Sequence, residues 1–565
     1  MKDMNQRLFI TIALWLGVAL VWYQFMPRQA ARSVASVTAP AAAPSPAPAP
    51  GVPGGADGSG GSGLASTGSN VPRETTPHRP TEKVTLESER LHLVLTSEGA
   101  GLEEASLKGD KFTRHKEGNK EQSQVNLVEV HAGEPLPLST VFKGAGGADL
   151  VPANAAYEVL RHDSHSASFR TVTGGLTVTK TFTLDPTAYR LDLNVEVESA
   201  AALVGSVAVL SASHGEAPSG GFFSSRSNVP ARTICMAGTK IERVAVGAKK
   251  PSWDGPGAAA FAGIDEQYFL SAVLPPVDAA ATCHLEVNPQ GSMIASLTTP
   301  LALSPGTPAK LAFITYQGPK DQEELAAVAK PLKDSIDLGF WSIIANLLLG
   351  VMKFFYKVVP PHNWGVAIIL LTVAMKLLTL PLQHKSMKSM QEMQRIQPQL
   401  EEMKKKFAGD TQRQNLEQMK LFKEHGVNPM GSCLPMLIQM PIWFALYTAL
   451  GVSVELYNSV FIPGWINDLT ARDPYFILPV AMGVTMILTQ VLTPSPMSNP
   501  SQKTMGFAMS GFFALLMFTY PAGLTLYIFT NNVLSILQQM YLRRSFKLAP
   551  VPASGQTVAV NPKRV

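Results

Sequence analysis

The sequence predicts a polytopic α-helical membrane protein with six transmembrane helices and a large extracytoplasmic antiparallel β-sandwich domain. Of its 565 residues, 46% are hydrophobic and only 16% are charged, whereas about a quarter are charged in a typical soluble protein. Six apolar runs have roughly the length that a bilayer requires. Between the first and the second run lies a long region in which apolar and polar residues alternate, as they do in a strand with one buried face.

The first apolar run covers residues 8–25, which is longer than the core of about 7–15 residues in a secretory signal. We therefore expect residues 1–28 to form a retained transmembrane anchor rather than a cleaved signal. Lys2 and Arg7 precede the run, so the positive-inside rule leaves the N-terminus in the cytoplasm. Residues 29–80 are rich in Ala, Pro, Gly and Ser, a composition that predicts a disordered linker.

Residues 81–318 predict one antiparallel β-sandwich outside the cytoplasmic membrane. In 176-LTVTKTFTLDPTAYRLDLNVEVES-199, apolar residues occupy alternate positions, and residues 185–187 (Asp-Pro-Thr) supply a turn between two strands. Two of the three cysteines, Cys235 and Cys283, lie in this region. The sequence leaves open whether they form a disulfide or remain buried thiols.

Several kinds of function lack their sequence signals. The chain has no GxxxxGK[ST] phosphate-binding loop, no HExxH motif and no metal-ligand spacing among its cysteines. A formal net charge of +5 over the whole chain is too small to indicate nucleic-acid binding. We therefore expect no enzyme activity, no cofactor, no metal and no direct nucleic-acid partner.

Residues 319–361 predict a polar helix followed by an amphipathic helix. The stretch 338-LGFWSIIANLLLGVMKFFYKVVPP-361 is apolar but contains Asn346, Lys353 and Lys357, so its composition suits either a span or a helix lying on the membrane surface. The distribution of positive charge in the later segments decides between these two topologies.

Five further apolar runs follow, at about 364–383, 433–453, 474–493, 504–520 and 521–540. Nine Lys and Arg residues lie in 384–432, one lies in 454–473 and five lie in 541–565. With the N-terminus inside, six spans put both basic segments in the cytoplasm, as the positive-inside rule requires. We therefore expect an outer interfacial helix at 338–361, a five-helix core at 362–545 with a cytoplasmic helical hairpin at 384–432, and a cytoplasmic basic tail at 546–565.

The run 364-WGVAIILLTVAMKLLTLPLQHKSM-387 contains a lysine well inside its apolar stretch. Thr372, Lys376, Thr379 and Gln383 have the i, i+4, i+7, i+11 spacing of one helix face. This polar stripe begins only halfway along the run, because the residues from 364 to 371 have no polar side chain beyond the first tryptophan.

Polar residues of the other runs gather in the same cytoplasmic half of the predicted bundle. The positions expected to line a groove with those of the first stripe are Gln439, Thr485, Thr489, Gln490, Asn532 and Ser535. A lysine that snorkels to the headgroups would explain Lys376 alone, but it would not explain the shared depth. The pattern favours a water-filled cavity that opens to the cytoplasm, ends halfway across the membrane and carries one positive charge.

Four stretches resemble the corresponding segments of the YidC family of membrane protein insertases. They are 362-HNWGVAIILLTVAMKLLTLPLQHKSMKSMQEMQRIQPQLEEMKKKF-407, 426-GVNPMGSCLPMLIQMPIWFALY-447, 473-DPYFILPVAMGVTM-486 and 520-YPAGLTLYIFTNNVLSILQQ-539. Together they cover most of 338–545, in the order that the family has them. The anchor, the linker and the outer β domain are similar to the long Gram-negative type, although the β domain matches only in pieces such as 267-QYFLSAVLPP-276.

The resemblance implies a five-helix insertase core with a groove that bears a single basic residue. In the family this residue is usually arginine, and Lys376, five positions before Pro381, stands at the matching place. Thr372 also matches a groove position. Relatives often have two adjacent aromatic residues in the sixth span, where this chain has Tyr527 and Ile528. The residues expected to contact a client helix are Met436, Met440, Phe444, Met509, Tyr527 and Ile528.

We therefore expect a membrane protein insertase and chaperone of the bacterial inner membrane, with both termini cytoplasmic and the β domain periplasmic. The expected partners are nascent membrane proteins, the Sec translocon, membrane lipids and the ribosome. Two other classes stay open. One is a solute or ion-coupled transporter that uses Lys376, although no internal repeat is visible. The other is an envelope scaffold whose β domain carries the function.

Overall fold

The computed structural model describes residues 81–115, 122–217, 230–277, 279–426, 434–492 and 500–545. The predicted anchor, linker and basic tail lie outside the described residues. From Glu82 onward, the described residues belong to one compact unit.

The β domain consists of antiparallel sheets. The described strands are β1 (Lys83–Glu87), β2 (Leu91–Thr96), β3 (Gly101–Leu107), β4 (Thr113–His115), β5 (Gln122–Gln124), β6 (Thr140–Gly144), β7 (Asp149–Val151), β8 (Glu158–His162), β9 (Ser166–Thr173), β10 (Leu176–Leu184), β11 (Arg190–Ser199), β12 (Leu203–His214), β13 (Arg232–Ala237), β14 (Lys240–Ala245), β15 (Ser252–Asp254), β16 (Ala259–Asp265), β17 (Phe269–Leu274), β18 (Thr282–Val287), β19 (Ser292–Leu303) and β20 (Ala309–Pro319). They form a nine-stranded sheet in the order β14-β13-β16-β17-β20-β11-β10-β9-β8, a six-stranded sheet in the order β15-β18-β19-β12-β6-β7, and the small sheets β1-β2-β3 and β4-β5. The prediction of an antiparallel β domain is confirmed.

The alternation in the sequence corresponds to the pairing of β10 with β11. The two strands pair from Leu176↔Ser199 to Leu184↔Leu191, and inward positions of β11 are buried between half-buried or exposed ones. A disulfide connects the two large sheets: it links Cys235 on β13 to Cys283 on β18. The pairing that the sequence left open is therefore present, and it links one sheet of the sandwich to the other.

The helical part follows the β domain. The described helices are α1 (Gln322–Val328), α2 (Ser342–Val358), α3 (Trp364–Arg395), α4 (Gln397–Lys406), α5 (Thr411–Glu424), α6 (Leu434–Val452), α7 (Ile477–Leu492), α8 (Pro500–Leu516) and α9 (Ala522–Ser545). Within these residues, Trp364–His384 is long and apolar enough to cross a membrane, and Leu437–Val452, Ile477–Leu492 and Gly506–Thr519 are shorter apolar helices. The count of six spans stays a prediction.

Helix α3 continues past the end of the predicted span. It runs from Trp364 to Arg395 and contains Pro381, whereas the apolar run ends at about residue 383. The first part of the predicted hairpin is therefore the same helix as the predicted second span. The hairpin continues with α4 and α5, which pack around Met393, Ile396, Leu400 and Phe422.

Helix α2 has three different faces. One packs into the bundle through Ala345, Leu348, Leu349 and Met352. A second is apolar and open, with Ile343 and Leu347 exposed by 86% and 66%. The third carries Lys353, whose Nζ lies 2.6 Å from Oε1 of Glu455. An apolar open face beside a polar face is the pattern expected of a helix at a membrane surface.

The β domain docks on the segment that joins α6 to α7. The ring of Tyr457 in this segment lies 5.3 Å from the rings of both Tyr268 and Phe269, measured between centroids. Nε2 of Gln267 donates to the carbonyl oxygen of Gly451 at 2.8 Å, in the last turn of α6, where carbonyls lack helical partners. We call this end of the bundle the outer end, because the β domain is attached to it.

Candidate functional site

The bundle is tightly packed near its outer end. We call this buried apolar region the packed half; it includes Ala367, Ile368 and Leu371 of α3, Ala445, Leu446, Ala449 and Leu450 of α6, Leu478 and Met482 of α7, and Ala522, Leu524, Leu526, Tyr527 and Ile528 of α9. On α3, α7 and α9 the buried cluster ends within roughly the first third of the helix, and on α6 it begins about halfway along.

The other half of the same helices is open. Among the described residues 373–384, 437–444, 484–492 and 529–535, no side chain is buried. We call these four ranges the polar half, because every groove residue predicted from the sequence lies in them except Thr372. Burial and polarity therefore both change along these helices.

Lys376 points across the bundle to α9. Its Nζ donates to Oγ of Ser535 at 2.7 Å, and that hydroxyl donates to the carbonyl oxygen of Asn531 at 2.8 Å. Among the described residues, no carboxylate forms an ion pair with Lys376. The side chain is half-buried. The ammonium therefore lies between helices and is not directed outward toward lipid.

The other members of the stripe on α3 bond within their own helix. Oγ1 of Thr379 donates to the carbonyl oxygen of Met375 at 2.9 Å and accepts from Nε2 of Gln383 at 3.2 Å. Thr372 is only 1% exposed and donates to the carbonyl oxygen of Ile368. The stripe therefore begins at the boundary of the packed half and becomes open toward Gln383.

Helix α9 supplies a second polar surface in the polar half. Asn532 and Ser535 are three residues apart, so their side chains lie on one face of the helix. Nδ2 of Asn532 is buried and has no hydrogen-bond partner among the described residues. An unpartnered buried amide costs about 1–3 kcal/mol, so this donor marks a place where an acceptor is missing.

Two further polar contacts join other pairs of helices. Nε2 of Gln439 on α6 donates to the hydroxyl of Tyr527 on α9 at 3.4 Å. The side-chain amide of Gln490 on α7 and the hydroxyl of Ser510 on α8 are hydrogen-bonded at 2.8 Å. The sequence placed Gln439 and Gln490 at one depth, but it gave no signal for their partners Tyr527 and Ser510. Thr485 and Thr489 donate to carbonyl oxygens of their own helix.

The residues expected to contact a client helix occupy different environments. Met509 on α8 is 57% exposed, and Met440 and Phe444 on α6 are half-buried. Tyr527 and Ile528 are buried in the packed half, so a client reaches them only if the bundle opens. The side chain of Met436 lies outside the described part of the chain.

A buried ion cluster in the β domain has no signal in the sequence. Asp265, which is 0% exposed, accepts hydrogen bonds from Lys320 at 2.8 Å and from Arg232 and Arg243 at 2.9 Å. Burial alone would raise the pKa of Asp265, but attraction to the three cations outweighs it and lowers that pKa. Arg243 also donates to the carbonyl oxygen of Ser335, just before α2.

Comparison with known proteins covers both parts of the chain. The family model described as 60Kd inner membrane protein matches residues 354–549, and the model described as YidC periplasmic domain matches residues 83–351. The membrane protein insertase YidC of Anaeromyxobacter sp. (strain Fw109-5) is 43% identical over 486 residues, which cover 84% of this chain and 87% of the relative. That of Anaeromyxobacter dehalogenans (strain 2CP-C) is 41% identical over 489 residues, which cover 84% and 88%.

A solved galactose mutarotase related enzyme from Lactobacillus acidophilus is 12% identical and covers 42% of this chain and 97% of its own. Its TM-score of 0.28 is too low to support any inference.

The two family models place the chain in the class of inner-membrane proteins with a periplasmic domain, and an antiparallel β domain joined to a bundle of apolar helices fits that class. The identity of more than 40% to the two Anaeromyxobacter insertases, over most of their length and of this chain, shows the particular family. The chain belongs to the YidC family of membrane protein insertases, whose named activity is not enzymatic.

Proposed function

We propose that this chain inserts and folds newly made inner-membrane proteins through a cavity that opens to the cytoplasm and carries one positive charge. The observation that carries the proposal is the change along the bundle: the same four helices are packed in one half and open and polar in the other. A channel would need polar lining along its whole length, whereas this lining stops at the level of Leu371 and Tyr527.

The proposed topology has six spans, with both termini in the cytoplasm and the β domain in the periplasm. The β domain contacts the packed half through the segment that follows α6. The polar half lies at the opposite end and therefore faces the cytoplasm. In this arrangement the hairpin at 384–432 is cytoplasmic and α2 lies on the outer membrane surface, where its open apolar face meets lipid.

The cavity lowers the barrier for polar groups of the client. A hydrophobic client segment of about 20 residues gains roughly 6–12 kcal/mol on entering lipid, at about 0.3–0.6 kcal/mol per residue. That free energy drives insertion without a nucleotide. The polar tail of the client enters the polar half and then crosses only the outer half of the bilayer.

Lys376 supplies attraction for acidic tails. At a separation of about 6–8 Å and an effective dielectric constant of about 20, one unit charge attracts another by about 2–3 kcal/mol. The hydrophobic client segment moves along the helices beside the cavity, in contact with Met436, Met440, Phe444 and Met509, and with Tyr527 and Ile528 once the bundle has opened. We further propose that the chain works alone or with the Sec translocon, and that ribosomes deliver its clients.

The test uses the purified full chain in lipid vesicles and a single-span client with a short translocated tail. Two tails are compared, one with two aspartates and one with two asparagines in the same places. In the Lys376→Met variant we expect insertion of the aspartate tail to fall roughly thirtyfold to hundredfold, while the asparagine tail changes little. Protease protection of the tail measures insertion.

Lys357→Met is the matched control, because Lys357 is exposed on α2 and lies outside the bundle. It should leave the preference for the aspartate tail unchanged. A Lys376→Met protein that inserts both tails with the wild-type preference would contradict the role of the charge. Deletion of about residues 90–318 separates an insertase from a scaffold: an insertase keeps most of its activity, and a scaffold whose β domain carries the function loses it.

A further inference from the structure

The ammonium of Lys376 is held from across the bundle. Ser535 accepts a hydrogen bond from Nζ of Lys376 and at the same time donates its own proton to the carbonyl oxygen of Asn531. A hydroxyl has one donor, so this backbone bond turns the oxygen lone pairs of Ser535 away from α9 and toward α3. The serine is thus fixed by its own helix as an acceptor for the lysine.

Lysine needs such an acceptor more than arginine does. Its ammonium is a compact charge on a flexible stem of four carbons. Lys376 lies eight residues before His384, roughly 12 Å along the helix, so an unrestrained stem reaches partway to the headgroups. The hydrogen bond to Ser535 opposes that movement and keeps the charge between α3 and α9.

A second donor lies beside the held charge. Asn532 is one helical turn before Ser535 on the same face of α9, and its Nδ2 has no partner among the described residues. After bonding to Ser535, the ammonium still has two N–H groups. This part of the polar half therefore contains several donors, and the ligand that satisfies them is an acceptor-only group such as a carboxylate. Because Nδ2 of Asn532 is buried, the ligand reaches it only once the bundle opens.

We propose that Ser535 is a positioning residue for Lys376: it holds the ammonium beside the amide of Asn532, so that the two together receive a carboxylate of the client's polar tail. This inference rests on the proposed function, and it assigns the preference for acidic tails to a defined arrangement rather than to charge alone.

The experiment uses the vesicle assay with the aspartate and asparagine tails. The proteins are the wild type, Lys376→Met, Ser535→Ala, the double variant, and Ser535→Thr, which keeps a hydroxyl. We expect Ser535→Ala to lower the preference for the aspartate tail by about threefold to tenfold, as for the net loss of one ordinary hydrogen bond. Ser535→Thr should keep the wild-type preference, and the double variant should show the same preference as Lys376→Met.

Thr525→Val on the same helix is the matched control. It removes a hydroxyl that donates only to the carbonyl oxygen of Pro521 in the packed half, and it should leave the preference unchanged. Thermal unfolding of every variant shows whether the bundle remains folded, and the Ser535→Thr protein keeps the test valid if Ser535→Ala is unstable.

The outcomes separate this inference from the proposed function. If Lys376→Met removes the preference while Ser535→Ala keeps it, the positioning role is wrong and the role of the charge stands. If the effects of Lys376→Met and Ser535→Ala multiply in the double variant, Ser535 acts independently of the lysine and the inference is again overturned. If Lys376→Met itself keeps the preference, the proposed role of the charge fails first.

Discussion

Replacing the carboxylate of Asp265 should lower the stability of the β domain more than replacing an exposed charged residue does. The carboxylate is fully buried and is the acceptor for Lys320, Arg232 and Arg243. In Asp265→Asn the shape is kept and the negative charge is lost, so the buried ammonium of Lys320 and the guanidinium group of Arg232 lose their counter-ion, and Arg243 keeps only the more distant carboxylate of Asp337 at 3.8 Å.

The magnitude follows from this geometry. Breaking a buried ion pair by removing one partner costs about 3–5 kcal/mol, because an uncompensated charge is left behind. For a domain of about 150–250 residues, each kcal/mol changes the melting temperature by about 2–4 °C. We therefore expect Asp265→Asn to lower the melting temperature of the β domain by roughly 6–20 °C.

The assay is calorimetric unfolding of the full chain in detergent, with hydrogen exchange in β13, β16 and β20 assigning the transition to the β domain. Asp192→Asn is the control, since the carboxylate of Asp192 pairs with Arg190 at 2.7 Å but is 35% exposed. An exposed pair contributes about 0–1 kcal/mol. Equal shifts for Asp265→Asn and Asp192→Asn would refute the reasoning.

The pH dependence gives the same experiment a second readout. The folded pKa of Asp265 is lowered from its ordinary value of 3.8, since the three cations outweigh the effect of burial. A lowered pKa means that the carboxylate stabilises the fold fully above pH 3.8 and loses this contribution as the pH falls through the folded pKa. The wild type should therefore lose more stability below pH 3.8 than Asp265→Asn does.

Two other predictions follow from named contacts. Replacing Cys235 and Cys283 with alanine opens a link between residues 48 apart in the sequence, which should lower the free energy of unfolding of the β domain by about 4 kcal/mol by loop entropy; reductant should produce the same fall in the melting temperature of the wild type and none in the variant. Lys376→Arg keeps the charge and adds a bidentate fork, so the preference for the aspartate tail should persist in the vesicle assay, and its loss would show that the ammonium cannot be replaced by another cation.

The sequence predicted the elements whose pattern is local. Period-2 alternation identified β10 and β11, and apolar length identified the helices around Lys376, because both signals depend only on neighbours along the chain. It also placed the polar residues of several helices at one depth, since counting residues from the ends of each run is enough for that. The residues at this depth are half-buried or exposed, and their role as the lining of a groove stays a prediction.

Contacts between elements far apart in the chain could not be predicted from the sequence. Lys180 lies on the inward face of β10 and is fully buried, and its ammonium donates to the backbone carbonyls of Gly99, Ala100 and Leu138. A lysine in an alternating strand normally indicates the outer face, and nothing near it in the sequence marks the turns that supply its acceptors. The acceptor Ser535 was likewise predicted as a groove residue, but its bond to Lys376 depends on the rotation of two helices about their axes.

The boundary between core and hairpin shows a different limit. The apolar run ends at about residue 383, so composition predicts the end of a span there, whereas α3 continues to Arg395. Composition reports the solvent around a helix, but backbone hydrogen bonding decides where the helix ends, and the two need not agree.

The two halves of the bundle are held together by interactions of different strength. In the packed half, many aliphatic and aromatic side chains make close van der Waals contacts, which are a main attraction between helices in lipid, and the β domain adds the contacts of Tyr457 and Gln267. In the described polar half, the cross-helix bonds include Lys376 to Ser535 and Gln490 to Ser510, and side-chain hydrogen bonds between membrane helices contribute on average only about 0.6 kcal/mol. The polar half therefore separates at lower cost than the packed half. In the proposed topology the polar half is the cytoplasmic end, so a bundle that separates there first would admit the polar tail of a client while the outer end stays closed.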